Sequence, residues 1–120
     1  MARKPKVLVV DDERVIADTL AIILNQHGFE ASAVYSGNDA VEQARQQKPD
    51  LVISDVIMDD MNGIEAAINI RRFLPSCKIL LFSGQAATAD LLENARAQGH
   101  EFEILAKPVH PQDLLAKLKG

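Results

Sequence analysis

The chain has 120 residues, of which 48% are hydrophobic and 25% charged, and its formal net charge is −4. This length allows one domain around one hydrophobic core, and the composition is that of an ordinary soluble globular protein. The acidic balance and the lack of a Lys/Arg cluster argue against a nucleic-acid-binding surface. Only four apolar residues follow the basic N-terminus, too few for a signal peptide or a membrane span. Cys77 is the single cysteine, so no intrachain disulfide can form, which fits a reducing cytoplasm.

The predicted elements alternate strictly between strands and helices along the chain. In order they are a strand at 6–10, a helix at 14–27, a strand at 29–34, a helix after the turn at 36–39, a strand at 51–54, a helix at 64–73, a strand at 78–82, a helix at 86–98, a strand at 102–106 and a helix starting near Pro111. Such alternation predicts an α/β fold, a parallel sheet with helices on both faces. Right-handed crossovers then bring all the carboxyl ends of the strands to one edge, where ligands of such sheets bind.

Side chains of complementary chemistry follow four of the five predicted strands. Asp11 and Asp12 follow the first, Asp55 the third, Ser83 the fourth and Lys107 the fifth, whereas the second contributes nothing. Three carboxylates make a hard-oxygen site suited to Mg²⁺. A Ser hydroxyl and a Lys amine can bind phosphoryl oxygens, and an aspartate can itself be the nucleophile that forms an aspartyl-phosphate.

The acidic pair after the first strand has a simpler explanation when it is taken alone. Asp11-Asp12-Glu13 could be a solvated acidic turn that caps the next helix, with Glu13 only a charge at the start of that helix. Chance easily places a charge after one strand but seldom after four, with matching chemistry. The set as a whole therefore favours a site for phosphoryl transfer.

At this point the sequence resembles the receiver domain of two-component response regulators over essentially the whole chain. The motifs that carry the resemblance are Val-Val-Asp11-Asp12-Glu13, Asp50-Leu-Val-Ile-Ser-Asp55, Met61-Asn62-Gly63, Phe82-Ser83-Gly84 and Ala106-Lys107-Pro108. Asp-Asp or Lys-Pro alone would mean little, but the five together are specific. The resemblance implies a flavodoxin-like (βα)5 three-layer sandwich, with a five-stranded parallel sheet of order 2-1-3-4-5.

The resemblance also implies how the metal and the phosphoryl group are bound. Asp55 would be the phosphoacceptor. Asp12 would bind Mg²⁺ (or Mn²⁺) directly and Asp11 largely through water, with the backbone carbonyl of Ile57 completing the shell of ligands.

The same resemblance assigns roles near the last two strands. Ser83 would move to meet the phosphoryl group, and Lys107 would bridge it. The Lys107-Pro108 peptide bond would be cis, which costs only about 0.5–1 kcal/mol before a proline.

The function implied is that of a signalling domain rather than an enzyme, which catalyses only its own phosphorylation and dephosphorylation. A sensor histidine kinase or phosphotransfer protein would be the donor. An output domain or downstream protein would respond to the face formed by the fourth helix, fifth strand and last helix, which is also a candidate homodimer surface.

We expect residues 1–120 to form a single cytoplasmic receiver domain, with no nucleic acid or membrane contact. Both a stand-alone receiver and one excised from a longer response regulator stay open.

Several positions depart from the family pattern. Asp59 stands where the family usually has Pro, which frees the loop backbone, and Asp60 follows it. These two acids could raise the local negative potential, but we interpret them as solvated. Ile104 stands where the family usually has the Tyr or Phe of an aromatic switch. Phe102 should point to the same face of the strand as Ile104, so the usual route to the output surface is in question.

The alternative function is an Mg²⁺-dependent phosphohydrolase that turns over external substrates through an aspartyl-phosphate. Against it, Val56 and Ile57 follow Asp55, so there is no second acid two residues on to act as general acid or base.

Overall fold

The computed structural model describes residues 3–84, 87–106 and 110–119, without the side chains of residues 87, 88 and 119. The strands are β1 (Lys6–Val10), β2 (Glu30–Val34), β3 (Leu51–Asp55), β4 (Lys78–Ser83) and β5 (Glu103–Ala106). The helices are α1 (Arg14–Gln26), α2 (Gly37–Gln47), α3 (Gly63–Phe73), α4 (Ala87–Ala97) and α5 (Pro111–Lys119). The predicted alternation is therefore confirmed.

All strand pairs are parallel, and the sheet order is β2-β1-β3-β4-β5. This is the expected flavodoxin-like topology. The direction in which strands are added reverses between β1 and β3. β2 lies on one side of this adjacent pair, and β4 and β5 lie on the other. In doubly wound sheets, that reversal opens a crevice at the carboxyl edge.

Helices cover both faces of the sheet and create two hydrophobic cores. One core lies between the sheet and α2, α3 and α4, with buried residues such as Leu8, Val52 and Ile70. The other lies between the sheet and α1 and α5, and includes Val9 and Leu114. The central strands are buried on both faces because alternate residues enter opposite cores, which explains their continuous apolar runs.

Several element boundaries differ slightly from the predicted ones. β2 starts at Glu30 because the N–H of Phe29 still donates to the carbonyl of Leu24 and closes the end of α1. α2 starts at Gly37, inside the predicted turn, because Ser36 is its N-cap and accepts from the N–H of Asp39. Within the described part of the chain, no helix is both long and apolar enough to cross a membrane.

Candidate functional site

The carboxyl ends of β1 and β3 bring Asp11, Asp12 and Asp55 together. Val10 pairs with Ser54, so the residues that follow lie side by side at the edge of the sheet. One carboxylate oxygen from each of the three residues lies within 4.8 Å of the other two. Asp11 is 1% exposed and Asp55 is 8% exposed, while Asp12 is half-buried. The carboxylates that sequence reasoning placed at this edge therefore do form one cluster.

This cluster has the chemistry of a divalent-cation site. Like charges about 4 Å apart repel by roughly 4 kcal/mol at an effective dielectric constant of 20, so three carboxylates at this spacing favour a cation among them. Carboxylate oxygens are the donors that Mg²⁺ selects, and Mg²⁺ commonly uses only one or two of them, together with water and phosphate oxygens. Asp11, Asp12 and Asp55 therefore fit the metal that the sequence predicted.

Asp11 is fixed by the local backbone as well as by its place beside β3. Its Oδ1 accepts from the N–H of Glu13 at 2.9 Å, and its own N–H donates to the carbonyl of Val34 at 3.2 Å. Glu13 is the N-cap of α1 but makes no capping hydrogen bond through its side chain. Asp11 thus stabilises the acidic turn and also belongs to the cluster. Because Asp11 is buried, the interpretation of this pair as only a solvated turn is wrong for Asp11.

The backbone of Asp55 is held by contacts with Ser54 and with the start of α3. The buried hydroxyl of Ser54 donates to the carbonyl oxygen of Asp55 at 2.9 Å. Gly63, the first residue of α3, lies directly against this strand end. A Cβ on Gly63 would lie 2.1 Å from the same carbonyl oxygen. The N–H of Gly63 also donates to the carbonyl of Val56 at 2.7 Å and closes the intervening loop. These contacts explain why the Asn62-Gly63 break must contain glycine at this position.

The loop after β3 is joined to the start of α2 through Asp60. Its carboxylate accepts from the N–H of Gly37 at 3.0 Å and from that of Asn38 at 2.7 Å. Partial desolvation opposes ionisation, but these backbone hydrogen bonds outweigh it and lower the pKa of Asp60. The interpretation of Asp60 as a merely solvated acid is therefore wrong, although its side chain is exposed. Asp59 is exposed as well.

The remaining predicted site residues lie at the same edge where the structure describes them. Ser83 is half-buried at the end of β4, one residue beyond the Phe82 that pairs with Asp55. Ile57 lies just beyond β3 with its side chain 47% exposed. Lys107 and the Lys107-Pro108 peptide bond lie outside the described residues, although Ala106, just before them, pairs with Ser83. Their predicted roles remain predictions.

Tyr35, at the end of β2, makes contacts with α1 that sequence reasoning did not predict. Tyr35 follows this strand, and its hydroxyl donates to Asp18 of α1 at 2.6 Å. The guanidinium of Arg14 lies 4.2 Å from the centroid of the Tyr35 ring. The hydrogen bond to Asp18 is the main reason that the pKa of Tyr35 is raised. An aromatic residue directly after a strand was the available signal for a contact at this edge.

Phe102 and Ile104 both pack against the core under α2, α3 and α4, as predicted from their spacing. Phe102 precedes β5, and the guanidinium of Arg71 lies 4.6 Å from the centroid of its ring. Arg71 Nη1 also donates to the carbonyl of Glu101 at 2.8 Å. The nearest aromatic residue is therefore stacked against α3, and Ile104 occupies the strand position itself.

Comparisons with known proteins point to one family. Residues 7–119 match the family described as "Response regulator receiver domain". The chemotaxis protein CheY of Thermotoga maritima is 33% identical over 94% of this chain and 93% of its own length. The chemotaxis protein CheY4 of Vibrio cholerae superposes with a TM-score of 0.85 at 29% identity, covering 97% of both chains.

Other relatives are about twice as long as this chain. The probable transcriptional regulatory protein TcrX of Mycobacterium tuberculosis is 31% identical over 95% of this chain but only 48% of its own length. The DNA-binding response regulator MtrA of the same species is 28% identical over 98% of this chain and 50% of its own. The chain therefore spans nearly all of CheY and about half of these regulators.

Proposed function

This chain belongs to the response regulator receiver domain family, and from that premise we propose that Asp55 accepts a phosphoryl group and thereby controls a partner. The donor would be a sensor histidine kinase or phosphotransfer protein. The observation that supports this proposal most directly is the cluster of Asp11, Asp12 and Asp55, whose oxygens lie within 4.8 Å of one another. A carboxylate cannot approach a phosphoryl group at such an edge unless the local negative charge is neutralised.

Asp12 and Asp11 would hold Mg²⁺ or Mn²⁺ together with Asp55 and the carbonyl of Ile57. The bound ion supplies positive charge that offsets the charge of the incoming phosphoryl group. The position of Asp55 supports its role as the acceptor, because Ser54 and Gly63 hold its backbone while its carboxylate faces the cluster. A fixed nucleophile loses little conformational entropy when it reacts.

The transfer itself is a displacement at phosphorus. An oxygen of Asp55 forms the new P–O bond, while the bond from phosphorus to the donor's imidazole nitrogen breaks and its electron pair stays on that nitrogen. Ser83 would donate a hydrogen bond to a phosphoryl oxygen and Lys107 would pair with its charge. Hydrolysis by water would later regenerate the carboxylate, so the domain resets itself without turning over an external substrate.

The signal would leave through α4, β5 and α5. Ser83 of β4 pairs with Ala106 of β5, so a movement of Ser83 toward Asp55 would directly shift the end of β5. Moving a switch from mostly off to mostly on requires about 5.5 kcal/mol of differential stabilisation. This face would then bind an output domain, a separate protein or a second copy of the chain. Relatives of both lengths exist, a chemotaxis protein and DNA-binding regulators, so either kind of output is compatible with a receiver domain in the cytoplasm.

The test is phosphorylation by a small donor. We expect incubation with Mg²⁺ and acetyl phosphate to add one phosphoryl group, detected by intact mass, and chelation of the metal to prevent it. The adduct should be absent in Asp55→Asn and present in Asp59→Asn, which removes an exposed acid from the same loop. An adduct that survives Asp55→Asn, or no adduct on the wild type, would refute the proposal. Sustained hydrolysis of phosphate esters would instead identify a phosphohydrolase.

A further inference from the structure

We propose that Asp60 is a positioning residue of the acidic site, which holds the loop that carries Ile57 against the start of α2. This inference rests on the proposed function, because it assigns Asp60 a purpose in cation binding at Asp11, Asp12 and Asp55. It adds a residue that lies outside the cluster of candidate ligands and belongs to none of the motifs discussed above.

The first observation is the geometry of the Asp60 carboxylate. Each of its oxygens accepts from a different backbone N–H of α2, at 3.0 Å from Gly37 and 2.7 Å from Asn38. The first N–H groups of a helix have no partner within the helix, and a carboxylate there also interacts favourably with the helix dipole. Ser36 caps Asp39 at the same helix end, so Ser36 and Asp60 satisfy different N–H groups.

The second observation is independent of hydrogen bonding and concerns Met61. A Cβ on Gly37 would lie 2.2 Å from Cγ of Met61 and 3.4 Å from its carbonyl oxygen. The loop after β3 therefore packs closely against the start of α2, because Gly37 has no side chain and leaves space for Met61. The hydrogen bonds that Asp60 accepts and the close packing of Met61 thus hold the same two segments together.

The contact of Asp60 and Met61 with α2 restrains the loop that carries Ile57, a proposed ligand of the cation. One end of the loop is Asp55, and the other is closed by the N–H of Gly63 on the carbonyl of Val56 and by the Asn62 cap of α3. Ile57 lies between these closures with an exposed side chain, so its own packing fixes it little. Asp59 leaves the φ angle of the loop unrestricted where the related family usually has Pro. Contacts at Asp60 and Met61 provide the restraint that a proline ring would otherwise give.

Four variants separate this restraint from simple electrostatics. Asp60→Ala removes both the charge and the two hydrogen bonds, whereas Asp60→Asn removes the charge and keeps one of the two acceptor oxygens. Asp59→Ala is the matched control, since it removes the same charge from the neighbouring exposed position. Gly37→Ala acts from the opposite side, because its methyl group displaces Met61 without changing any charge.

Two measurements on the unphosphorylated protein test the proposal. Amide hydrogen exchange reports whether the N–H groups of Gly37 and Asn38 are protected, and calorimetric titration with Mg²⁺ reports affinity. We expect Asp60→Ala and Gly37→Ala to lose the protection and to bind Mg²⁺ about tenfold more weakly, the lower end of the effect of losing groups that orient metal ligands. Asp59→Ala should retain both properties, and Asp60→Asn should lie between.

The outcomes are distinguishable. Equal Mg²⁺ affinity in Asp60→Ala and Asp59→Ala would overturn the inference, as would unchanged protection of Gly37 and Asn38 in Asp60→Ala. Equal losses in Asp60→Asn and Asp59→Ala, with no further loss in Asp60→Ala, would mean that charge alone acts and would also overturn it. A wild type that binds no Mg²⁺ would instead refute the proposed function, and the positioning role with it.

Discussion

Two regions of the protein, which we call the acidic half and the response half, are held together by different kinds of contact. The acidic half, residues 11–12 and 55–63, contains the buried carboxylates of Asp11 and Asp55, and the buried hydroxyl of Ser54 directly precedes it. Its backbone is held by hydrogen bonds that Ser54 and Gly63 donate and by those that the carboxylate of Asp60 accepts from the start of α2. β3, which leads into it, is buried from its second residue to its last.

The response half, residues 87–106 and 110–119, has contacts that lie closer to solvent. None of the four residues of β5 is fully buried. Its described ion pairs, Arg96 with Glu93 at 3.9 Å and Lys117 with Glu103 at 3.8 Å, join exposed side chains. Such pairs typically contribute about 0–1 kcal/mol each. Among the residues whose side chains are described, α4 and α5 each have a single buried side chain, Ala95 and Leu114 respectively.

This difference matches the division of labour in the proposed function. A site that must hold a cation and a nucleophile in fixed geometry benefits from contacts that allow few alternatives. A face that must change conformation when one charged group is added must instead have alternatives within a few kcal/mol. Regions with few buried contacts are the ones that open at low cost. The comparison therefore predicts that equivalent changes in the two halves will have unequal consequences.

The largest expected effect compares glycines from the two halves. Gly63→Ala should destabilise the protein by about 3 kcal/mol, because its Cβ would lie 2.1 Å from the carbonyl oxygen of Asp55, a backbone atom that cannot move aside cheaply. Gly99→Ala has no atom within 4 Å of its new Cβ but has a φ of +90°, so only backbone strain of about 1 kcal/mol is expected. Denaturant titration measures both, and equal losses would show that the acidic half is not packed more tightly.

The next effect concerns cation binding. Asp12→Ala should weaken Mg²⁺ binding by at least tenfold, that is by at least about 1.4 kcal/mol, because it removes one of three clustered carboxylates. Glu13→Ala is the matched control, since Glu13 is adjacent, exposed and without a capping bond through its side chain. Calorimetry compares the two variants. Equal weakening in both would mean that general negative potential, rather than a ligand at Asp12, attracts the cation.

The cluster could be predicted from the sequence because it depends on topology alone. Parallel strands joined by right-handed crossovers must end at one edge, so Asp11, Asp12 and Asp55 meet whatever the details of the loops. The shared face of Phe102 and Ile104 followed in the same way from the alternation of side chains along a strand. Predictions of this kind need only the order and direction of the elements.

The contacts of Asp60 and Tyr35 could not be predicted in that way. Asp60 reaches N–H groups 22 and 23 positions earlier in the chain, and its geometry depends on the exact path of the loop after Asp55. The hydroxyl of Tyr35 reaches Asp18, 17 positions earlier, across the start of α1. An exposed acid and a residue in a turn carry no periodic pattern, so the sequence offers no register from which to infer their partners.

We expect a smaller effect where Arg71 of α3 stacks on Phe102 of the response half. Arg71→Ala should cost about 1 kcal/mol, the size of a partly exposed cation–π contact, and should also lose the hydrogen bond to Glu101. Arg72→Ala, which removes a more exposed arginine from the same helix end, is the control. Mg²⁺ affinity should be unchanged in both. An affinity loss in Arg71→Ala would show that the two halves are already coupled before phosphorylation.

The smallest expected effect concerns Cys77, which precedes β4 at the amino edge of the sheet, outside both halves. Burial raises the pKa of the Cys77 thiol to about 11 from an ordinary value of 9.0. Because the folded state keeps the thiol neutral, the resulting stability is complete well below pH 9 and is lost as the unfolded chain ionises between pH 9 and pH 11. At pH 9, where about half of the unfolded thiols are ionised, the wild type should lose roughly 0.4 kcal/mol more than Cys77→Ala relative to pH 7.

Denaturant titration of wild type and Cys77→Ala at pH 7 and pH 9 isolates this difference, because the cavity left by the alanine costs the same at both pH values. A parallel pH dependence in the two proteins would show that the thiol ionises equally easily in the folded state. Mg²⁺ should stabilise both proteins by the same amount, since Cys77 lies at the amino end of β4 and the acidic half lies beyond the carboxyl ends of β1 and β3. Unequal stabilisation would mean that cation binding is felt across the whole length of the sheet, and the distinction between a fixed and a responsive half would then fail.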